Sequence, residues 1–411
     1  MKRVSLLVVV LTLAIVGILF SSRMSPEPTQ STVRCEHSLA DLTSTDKLTL
    51  VEGPLPCNAS DDKEILCGIF KARIEATGEE APKHVILAVR TKSTQELCSN
   101  RWVVLDAGGF GDGYAATFGD APPGGYSPKG QYGDDLIRRY NDLGYVTVDL
   151  VYQCEKEACD TFAYGDWVAQ QPAGTAWFEN LNGTGWLGAA QRSLSVYEWA
   201  HEQSGEQICA HAQSSGSGRL IGALTRLEAE SLFDTVVFDG GPVFNYTPWI
   251  CGVDEGPLGP SPLRTSRNQD GIIVARTLDC ALTLGDNTQS CSANDCAGNQ
   301  YSQNLLQSSM WYLASTLNFT DLDIGIALGG QDKTNAPWSV KLWLSGYDYN
   351  DKFIPPLSAH SITLKQGYCE DCALWDQDTY EDRLRDAPHG VSETEGGAEV
   401  LEELLTHTCE L

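Results

Sequence analysis

The strongest chemical signal in this 411-residue chain is a serine between an apolar run and a helix-like run. Ser214 lies within the sequence AQSSG, directly after QICAH. A serine nucleophile on a strained strand-to-helix turn needs small residues two positions before and two positions after it. Ala212 and Gly216 meet this requirement, so we predict Ser214 as the nucleophile, whereas Ser215 would have the larger Gln213 in the first position. A structural loop rich in serine and glycine is the alternative interpretation.

An activated serine also needs a base and an acid from other parts of the chain. Asp332 follows the apolar run LDIGIALGGQ, at a predicted carboxyl end of a strand, where functional groups collect in open α/β sheets. Asp239, after TVVF, is the rival acid. His389 lies in the loop DAPHG ahead of a predicted helix, and we favour it as the base over His360, which lies in a predicted last strand. The order serine, aspartate, histidine agrees with these choices.

Backbone N–H groups are predicted to complete this site. The glycine turn GGFG at 108–111 follows the strand-like run WVVLD. The N–H groups of Gly109, Phe110 and Ser215 could together bind a negatively charged oxygen, which defines a predicted oxyanion hole. An ordinary turn has the same composition. The predicted chemistry requires no metal and no organic cofactor.

The elements that must position these residues alternate between strand-like and helix-like runs. The runs 65–74 and 84–92 are predicted as an antiparallel pair. Further strands are predicted at 102–109, 145–153, 207–212, 234–241 and 322–330, and helices at 133–144, 188–203, 217–229, 338–347 and 397–409. This alternation predicts an α/β fold with a mainly parallel, doubly wound sheet.

Composition divides the chain into five predicted segments. They are a signal peptide or N-terminal membrane anchor at 1–23, a linker and N-terminal extension at 24–64, a core in two parts at 65–242 and 321–411, and an inserted cap at 243–320. The cap is recognised by its Gly/Pro clusters and four cysteines, which interrupt the alternation. We expect the cap and the aromatic loop at 160–187 to determine substrate choice.

The N-terminal segment predicts the cellular compartment. Lys2 and Arg3 precede an uncharged apolar run at 4–20, which is typical of a secretory signal. As a helix this run would be about 26 Å long, close to the thickness of a bilayer core, so membrane attachment through an uncleaved anchor is the alternative. Both alternatives predict a secreted or extracytoplasmic protein, either periplasmic or extracellular.

The cysteines and the net charge predict disulfides and argue against a metal site and against nucleic acid as a partner. All 14 cysteines follow the N-terminal segment, and an even set outside the cytosol predicts disulfides, although Cys209 would also suit a buried free thiol. Cys369 and Cys372 have zinc-ligand spacing but lack a second such pair or a matching histidine, so no metal site is predicted. The net charge of −27 argues against nucleic acid as a partner.

From about residue 65 to 409 the chain resembles the α/β-hydrolase superfamily. The matching motifs are GGFG, AQSSG, VVFDGGP, GGQD and PHG. The N-terminal part resembles secreted tripeptidyl and prolyl aminopeptidase-like hydrolases, through Cys67-Gly68 in a strand and Cys154 after a later strand. Those relatives have GGPG and GxSxG, where this chain has Phe110 and Ala212 instead of the proline and the first glycine.

The resemblance implies a reaction. Ser214 would attack an acyl carbon, His389 would transfer the proton to the leaving group, and Asp332 would hold the imidazole. The implied substrates are small carboxylic esters or peptides, with esters slightly favoured and an exopeptidase of the tripeptidyl or prolyl aminopeptidase type as the alternative. A non-catalytic binding or adhesion protein with a hydrolase fold is a further alternative.

Overall fold

The computed structural model describes residues 38–56, 64–75, 83–92, 101–107, 130–152, 185–241, 255–256, 259–260, 317–332, 336–349, 352–368 and 379–409. The predicted signal or anchor at 4–20, the glycine turn with Gly109 and Phe110, and Cys154 lie outside these residues. Most of the predicted cap and most of the aromatic loop also lie outside them.

Thirteen strands and five α-helices lie within the described residues, and we number each type in chain order. The strands are β1 Leu48–Pro56, β2 Ile65–Ile74, β3 Lys83–Lys92, β4 Trp102–Asp106, β5 Val146–Tyr152, β6 Ile208–Gln213, β7 Phe233–Asp239, β8 Glu255–Gly256, β9 Gly259–Pro260, β10 Asn318–Leu328, β11 Tyr347–Tyr349, β12 Lys352–Ile354 and β13 Ser358–Gln366. The helices are α1 Gly130–Asp142, α2 Gly185–Ser204, α3 Ser215–Arg226, α4 Ala336–Ser345 and α5 Glu395–Thr408. Of these helices, none is long and apolar enough to cross a membrane.

Nine of the strands form one mixed sheet in the order β1-β2-β3-β5-β4-β6-β7-β10-β13. The pairs β1·β2, β2·β3 and β3·β5 are antiparallel. From β5 onward every neighbouring pair is parallel. The predicted α/β class, the mainly parallel sheet and the antiparallel pair before it are therefore confirmed.

Helices cover both faces of this sheet. Residues of α2, α3 and α4 pack in one hydrophobic cluster, and residues of α1 and α5 pack in a second cluster on the opposite face. Every residue of β4 and β6 is buried, as expected for central parallel strands covered on both sides. The carboxyl ends of β6, β7 and β10 meet at one edge, where Asp239 ends β7 and where Ser214 and Asp332 follow β6 and β10.

Most strand boundaries differ from the sequence prediction by one to three residues, and two differences are larger. Strand β1 lies within 24–64, which was predicted as linker and extension, because its Gly53-Pro54 and Pro56 are unusual in strands. An edge strand tolerates prolines, and the β1·β2 pairing has register shifts around them. Strand β10 begins at Asn318 rather than at 322, so its first residues fall within the range predicted as cap.

A disulfide joins β6 to the end of α5. Cys209 and Cys409 are bonded, 200 residues apart in the sequence, and both are buried. This finding corrects the interpretation of Cys209 as a free thiol, since its apolar surroundings include the partner cysteine. Cys67 is also disulfide-bonded. Disulfide formation, predicted from the even cysteine count, is thus confirmed for these three residues.

Candidate active site

Ser214 occupies the strained turn between β6 and α3. Its backbone has φ 48° and ψ −115°, a conformation that residues other than glycine rarely adopt. The Ser214 N–H donates to the Asp239 carbonyl oxygen at 3.0 Å, and the Gly218 N–H donates to the Ser214 carbonyl oxygen at 3.2 Å. These bonds hold the turn, so the serine hydroxyl lies at the carboxyl edge of the sheet. Strain of this kind is typical of functional sites.

The contacts of Gly216 explain why the position two residues after Ser214 must be small. A Cβ atom on Gly216 would lie 1.9 Å from the Asp106 carbonyl oxygen and 3.1 Å from that of Ala107. The first turn of α3 therefore packs directly on the end of β4. Any side chain at Gly216 would push the serine turn away from this strand.

Three side chains form a chain of two short contacts. The Ser214 Oγ atom lies 2.8 Å from His389 Nε2, and His389 Nδ1 lies 2.9 Å from Asp332 Oδ2. The Asp332 side chain is fully buried, whereas 25% of the His389 side chain is exposed. The structure thus brings together the three residues that the sequence predicted as nucleophile, acid and base.

Glycines allow the acid loop and the base loop to touch. A Cβ atom on Gly329 would lie 2.1 Å from the Pro388 carbonyl oxygen, and one on Gly330 would lie 2.3 Å from that of Arg385. The Gln331 N–H donates to the Ala387 carbonyl oxygen at 3.0 Å. The GGQD motif is therefore the place where the loop after β10 packs against the segment leading to His389.

The environment of His389 favours its protonated form. Burial of the ring acts to lower its pKa, but the charge of Asp332 and its hydrogen bond act in the opposite direction. The charges of Asp239 and Glu393 add to this effect. The net result is a pKa raised above 6.5, the ordinary value for histidine. The ring can therefore accept and keep a proton more readily than a histidine in water.

The rival residues have other positions. The Asp239 carboxylate is fully buried and accepts hydrogen bonds from the segment after His389. His360 is exposed on β13, at the edge of the sheet. Ser215 is the first residue of α3. Gly109 and Phe110 are outside the part of the chain that the structure describes, so the oxyanion hole stays a prediction.

A buried ion pair beside the serine turn was missed by the sequence reasoning. Arg219 on α3 donates to Asp106 Oδ1 at 2.6 Å and to the Ala107 carbonyl oxygen at 2.8 Å. Ser193 and Tyr197 of α2 also donate to Asp106, at 2.9 and 2.8 Å. The available signal was an aspartate at the end of an otherwise apolar strand. This pair ties the helix after Ser214 to the strand that leads into the glycine turn.

No family model matches the chain, and no curated protein matches it. Solved structures similar to it include a post-proline cleaving enzyme from Rickettsia typhi (11% identity, 85% of this chain and 38% of that one, TM-score 0.44). Others are a bacterial heroin esterase (12%, 85% and 86%, TM-score 0.41) and a putative hydrolase from Legionella pneumophila (9%, 84% and 88%, TM-score 0.42). The chain spans well under half the length of the Rickettsia enzyme.

The topology of the sheet identifies the fold without help from these similarities. Apart from the edge strand β1, which pairs antiparallel with β2, the order β2-β3-β5-β4-β6-β7-β10-β13 has one strand, β3, that runs against a block of parallel strands, and one crossover at β5 and β4. The strained serine follows β6, the aspartate follows β10, and the histidine precedes the last helix. The chain has the α/β-hydrolase fold, and it resembles the α/β-hydrolase superfamily as its motifs predicted.

Proposed function

We propose that this protein is a serine hydrolase that cleaves carboxylic ester or peptide bonds with Ser214, His389 and Asp332. The observation that supports the proposal most directly is the pair of contacts at 2.8 and 2.9 Å that link the serine oxygen to the carboxylate through both ring nitrogens. A serine in an ordinary loop has no need of a strained backbone, a histidine and a buried acid together.

In the proposed reaction the Ser214 Oγ atom bonds to the acyl carbon while its proton passes to His389 Nε2. The carbonyl electron pair moves to the oxygen and then returns, breaking the bond to the leaving group, which takes the proton from His389. Water repeats these steps on the acyl-enzyme, releasing the carboxylic acid and restoring Ser214. Asp332 keeps the Nδ1–H of the imidazole directed toward itself and stabilises the imidazolium.

The negative oxygen formed in this reaction needs hydrogen-bond donors. We assign the backbone N–H of Ser215, at the start of α3, together with those of Gly109 and Phe110. Each such donor is typically worth about 3 kcal/mol in the transition state. The start of a helix also favours negative charge through its dipole.

We place the proposed enzyme outside the cytosol. The buried disulfide between Cys209 and Cys409 supports this location, because disulfides persist in oxidising compartments. The apolar run at 4–20 then acts as a cleaved signal or as a membrane anchor. The substrate is a small ester or peptide, and no nucleic acid, metal or organic cofactor takes part.

Covalent labelling tests the proposal. The full chain is treated with a fluorophosphonate probe beside Ser214→Ala and the control Ser215→Ala, with thermal unfolding measured for each. We expect labelling of the wild type and of Ser215→Ala, and none of a folded Ser214→Ala. Loss only in Ser215→Ala would move the nucleophile by one residue. A folded wild type that is not labelled would refute the triad and favour the binding-protein alternative.

Substrate screening then separates the bond classes. Wild-type protein is tested with p-nitrophenyl esters and with aminoacyl and tripeptidyl anilides, and Ser214→Ala serves as the blank. Hydrolysis of the esters alone supports the esterase assignment. Faster release from the anilides, relative to the esters, supports an exopeptidase of the tripeptidyl or prolyl aminopeptidase type.

A further inference from the structure

Asp239 binds the segment that follows His389. Its side chain is fully buried at the carboxyl end of β7, the strand between β6 and β10. One carboxylate oxygen accepts from the Val391 N–H at 2.6 Å. The other accepts from the Ser392 hydroxyl at 2.6 Å and from the Ser392 N–H at 3.4 Å. A charged acceptor with these donors fixes the backbone two and three residues beyond His389.

The backbone of the same residue binds the nucleophile turn. The Asp239 carbonyl oxygen accepts the Ser214 N–H at 3.0 Å. Gly240, the next residue, has φ 59° and donates its N–H to the Ala327 carbonyl oxygen of β10 at 2.9 Å. A Cβ atom on Gly240 would lie 1.8 Å from the His389 carbonyl oxygen. Asp239 and Gly240 therefore contact the serine turn, the histidine segment and the strand that leads to Asp332.

Several titratable groups surround this carboxylate. His211 Nε2 lies 3.8 Å from Asp239 Oδ2, and the Tyr140 hydroxyl lies 3.0 Å from His211 Nδ1. Burial and then the charge of Asp239 raise the pKa of Tyr140 well above its usual value. The acidic groups that act on His389 are Asp332, Asp239 and Glu393. Asp239 thus adds negative charge near the ring as well as hydrogen bonds to its segment.

We propose that Asp239 is a positioning residue for the triad, which sets the distance between Ser214 Oγ and His389 Nε2 by binding both segments at once. Its carbonyl oxygen holds the serine turn, and its carboxylate holds the segment after the histidine. The inference rests on the proposed function of Ser214 and His389. It assigns to Asp239 a role distinct from that of Asp332, whose carboxylate contacts the His389 ring directly.

Asp239→Asn separates these contributions. The substitution keeps the backbone carbonyl and one acceptor oxygen, but it removes the charge and places an NH₂ group against a donor of Val391 or Ser392. We expect the labelling rate by a fluorophosphonate, at its high-pH plateau, to fall about tenfold, because a charged hydrogen-bonded acceptor is lost. The midpoint of His389 titration is expected to move to lower pH, because the charge of Asp239 is one of those that raise the pKa of the ring.

Two further variants serve as comparison and control. Ser392→Ala removes one donor and keeps the charge, so the labelling rate should fall about threefold while the titration midpoint is unchanged. Asp323→Asn makes the same substitution in the first half of neighbouring β10, where the Asp323 carboxylate accepts from Ser361. It should leave both the rate and the midpoint at the wild-type values. The midpoint is read by NMR of the full chain with labelled histidine, using His389→Gln to identify the signal.

The outcomes distinguish this inference from the proposed function. An unlabelled wild type would overturn the proposed function and the inference with it. A labelled wild type beside an Asp239→Asn protein with the same plateau rate would overturn the inference alone, even with a shifted midpoint, because charge by itself moves the midpoint. Should Asp239→Asn fail to fold, an unchanged labelling rate in Ser392→Ala would overturn it.

Discussion

At the scale of single residues, the His389 ring is placed between a hydroxyl and a buried carboxylate. Ser214 Oγ is on one side of the ring and Asp332 Oδ2 on the other. The carboxylate is closed off from water, while a quarter of the histidine side chain is exposed. The proposed proton acceptor is therefore reachable from solvent, whereas the carboxylate proposed to orient it is not.

This arrangement predicts the pH dependence of the proposed reaction. Only the neutral ring accepts the serine proton, and the pKa of His389 is raised, so activity should rise with pH through a midpoint above 6.5.

In Asp332→Asn the activity should fall about 10⁴-fold. Its midpoint should move to lower pH, because the charge that raises the pKa is gone. Rates of ester hydrolysis or probe labelling between pH 5 and pH 9 measure both effects.

Asp386→Asn is the control for this prediction. Asp386 is exposed and lies three residues before His389. It should retain the wild-type rate and midpoint. An Asp332→Asn protein with the same midpoint as the wild type would contradict the assigned role of the buried carboxylate.

The residues of the site were predictable from the sequence because each has a local signature. Ser214 has small neighbours, Asp332 follows an apolar run, and His389 lies in a Pro/Gly loop. Asp239 has a similar signature to Asp332, an acid at or shortly after the carboxyl end of a strand: Asp239 is the last residue of β7, and Asp332 follows β10 by four residues. Which of the two faces the ring depends on loop packing through Gly329 and Gly330, and sequence spacing does not encode that contact.

At the scale of elements, close approaches of backbone hold the loops of the site. Gly240→Ala would place a methyl group 1.8 Å from the His389 carbonyl oxygen. We expect displacement of the base segment, with at least a 100-fold loss of labelling, since misplacement by about 1 Å has this effect on catalysis. Labelling kinetics and chemical denaturation measure the loss of activity and of stability.

Gly205→Ala is the matched control for the conformational strain alone. Gly205 has φ 73°, comparable to the 59° of Gly240, but no atom lies within 4 Å of the position of its Cβ. The substitution should lower the free energy of unfolding by about 1 kcal/mol and leave labelling unchanged. Equal losses of labelling in the two variants would show that backbone strain, rather than contact with His389, explains the effect.

The ion pair between α3 and the end of β4 gives a second prediction at this scale. Arg219→Met leaves the buried Asp106 carboxylate without its cation, and we expect the free energy of unfolding to fall by about 3–5 kcal/mol. Arg139→Met breaks the contact from α1 to Glu402 of α5, where the side chains are 29% and 27% exposed. That change should cost about 1 kcal/mol or less. Denaturant unfolding measures both variants. Similar losses of free energy of unfolding in Arg219→Met and Arg139→Met would contradict the prediction that the buried ion pair contributes more to stability than the exposed one.

Elements with regular apolar runs were predicted well, and the edge of the sheet was not. Strands β4, β6 and β7 are mostly buried and each contains a short apolar run, because helices cover both of their faces. Strand β1 contains Val51 and Leu55 exposed to solvent and two prolines, so it has neither alternation nor an apolar run. Its pairing with β2 is a long-range contact that no local pattern predicts.

At the scale of the whole molecule, one disulfide spans nearly half of the sequence. Replacing Cys209 and Cys409 together by alanine opens a 200-residue loop. The loop-entropy relation gives a loss of about 5 kcal/mol in the free energy of unfolding. Denaturant unfolding of the double variant and of the wild type measures the loss. The single variant Cys409→Ala is compared with both proteins.

Comparing the single variant, the double variant and the wild type measures how much the covalent connection between β6 and α5 contributes to the free energy of unfolding. A large loss in Cys409→Ala, with little further change in the double variant, is expected, because either single substitution already opens the loop. Unchanged stability in the double variant would mean that packing of α5, through residues such as Leu401 and Leu404, is sufficient without the covalent bond.

The same long separations have a consequence for synthesis of the protein. Ser214 and His389 are 175 residues apart in the sequence, and Cys209 and its disulfide partner Cys409 are 200 residues apart. The ribosome therefore makes Ser214 long before His389, and a partly made chain has the serine without the histidine that is proposed to activate it. The proposed enzyme becomes active only after His389 has been made, and Cys209 becomes bonded only after Cys409, which follows α5, has been made.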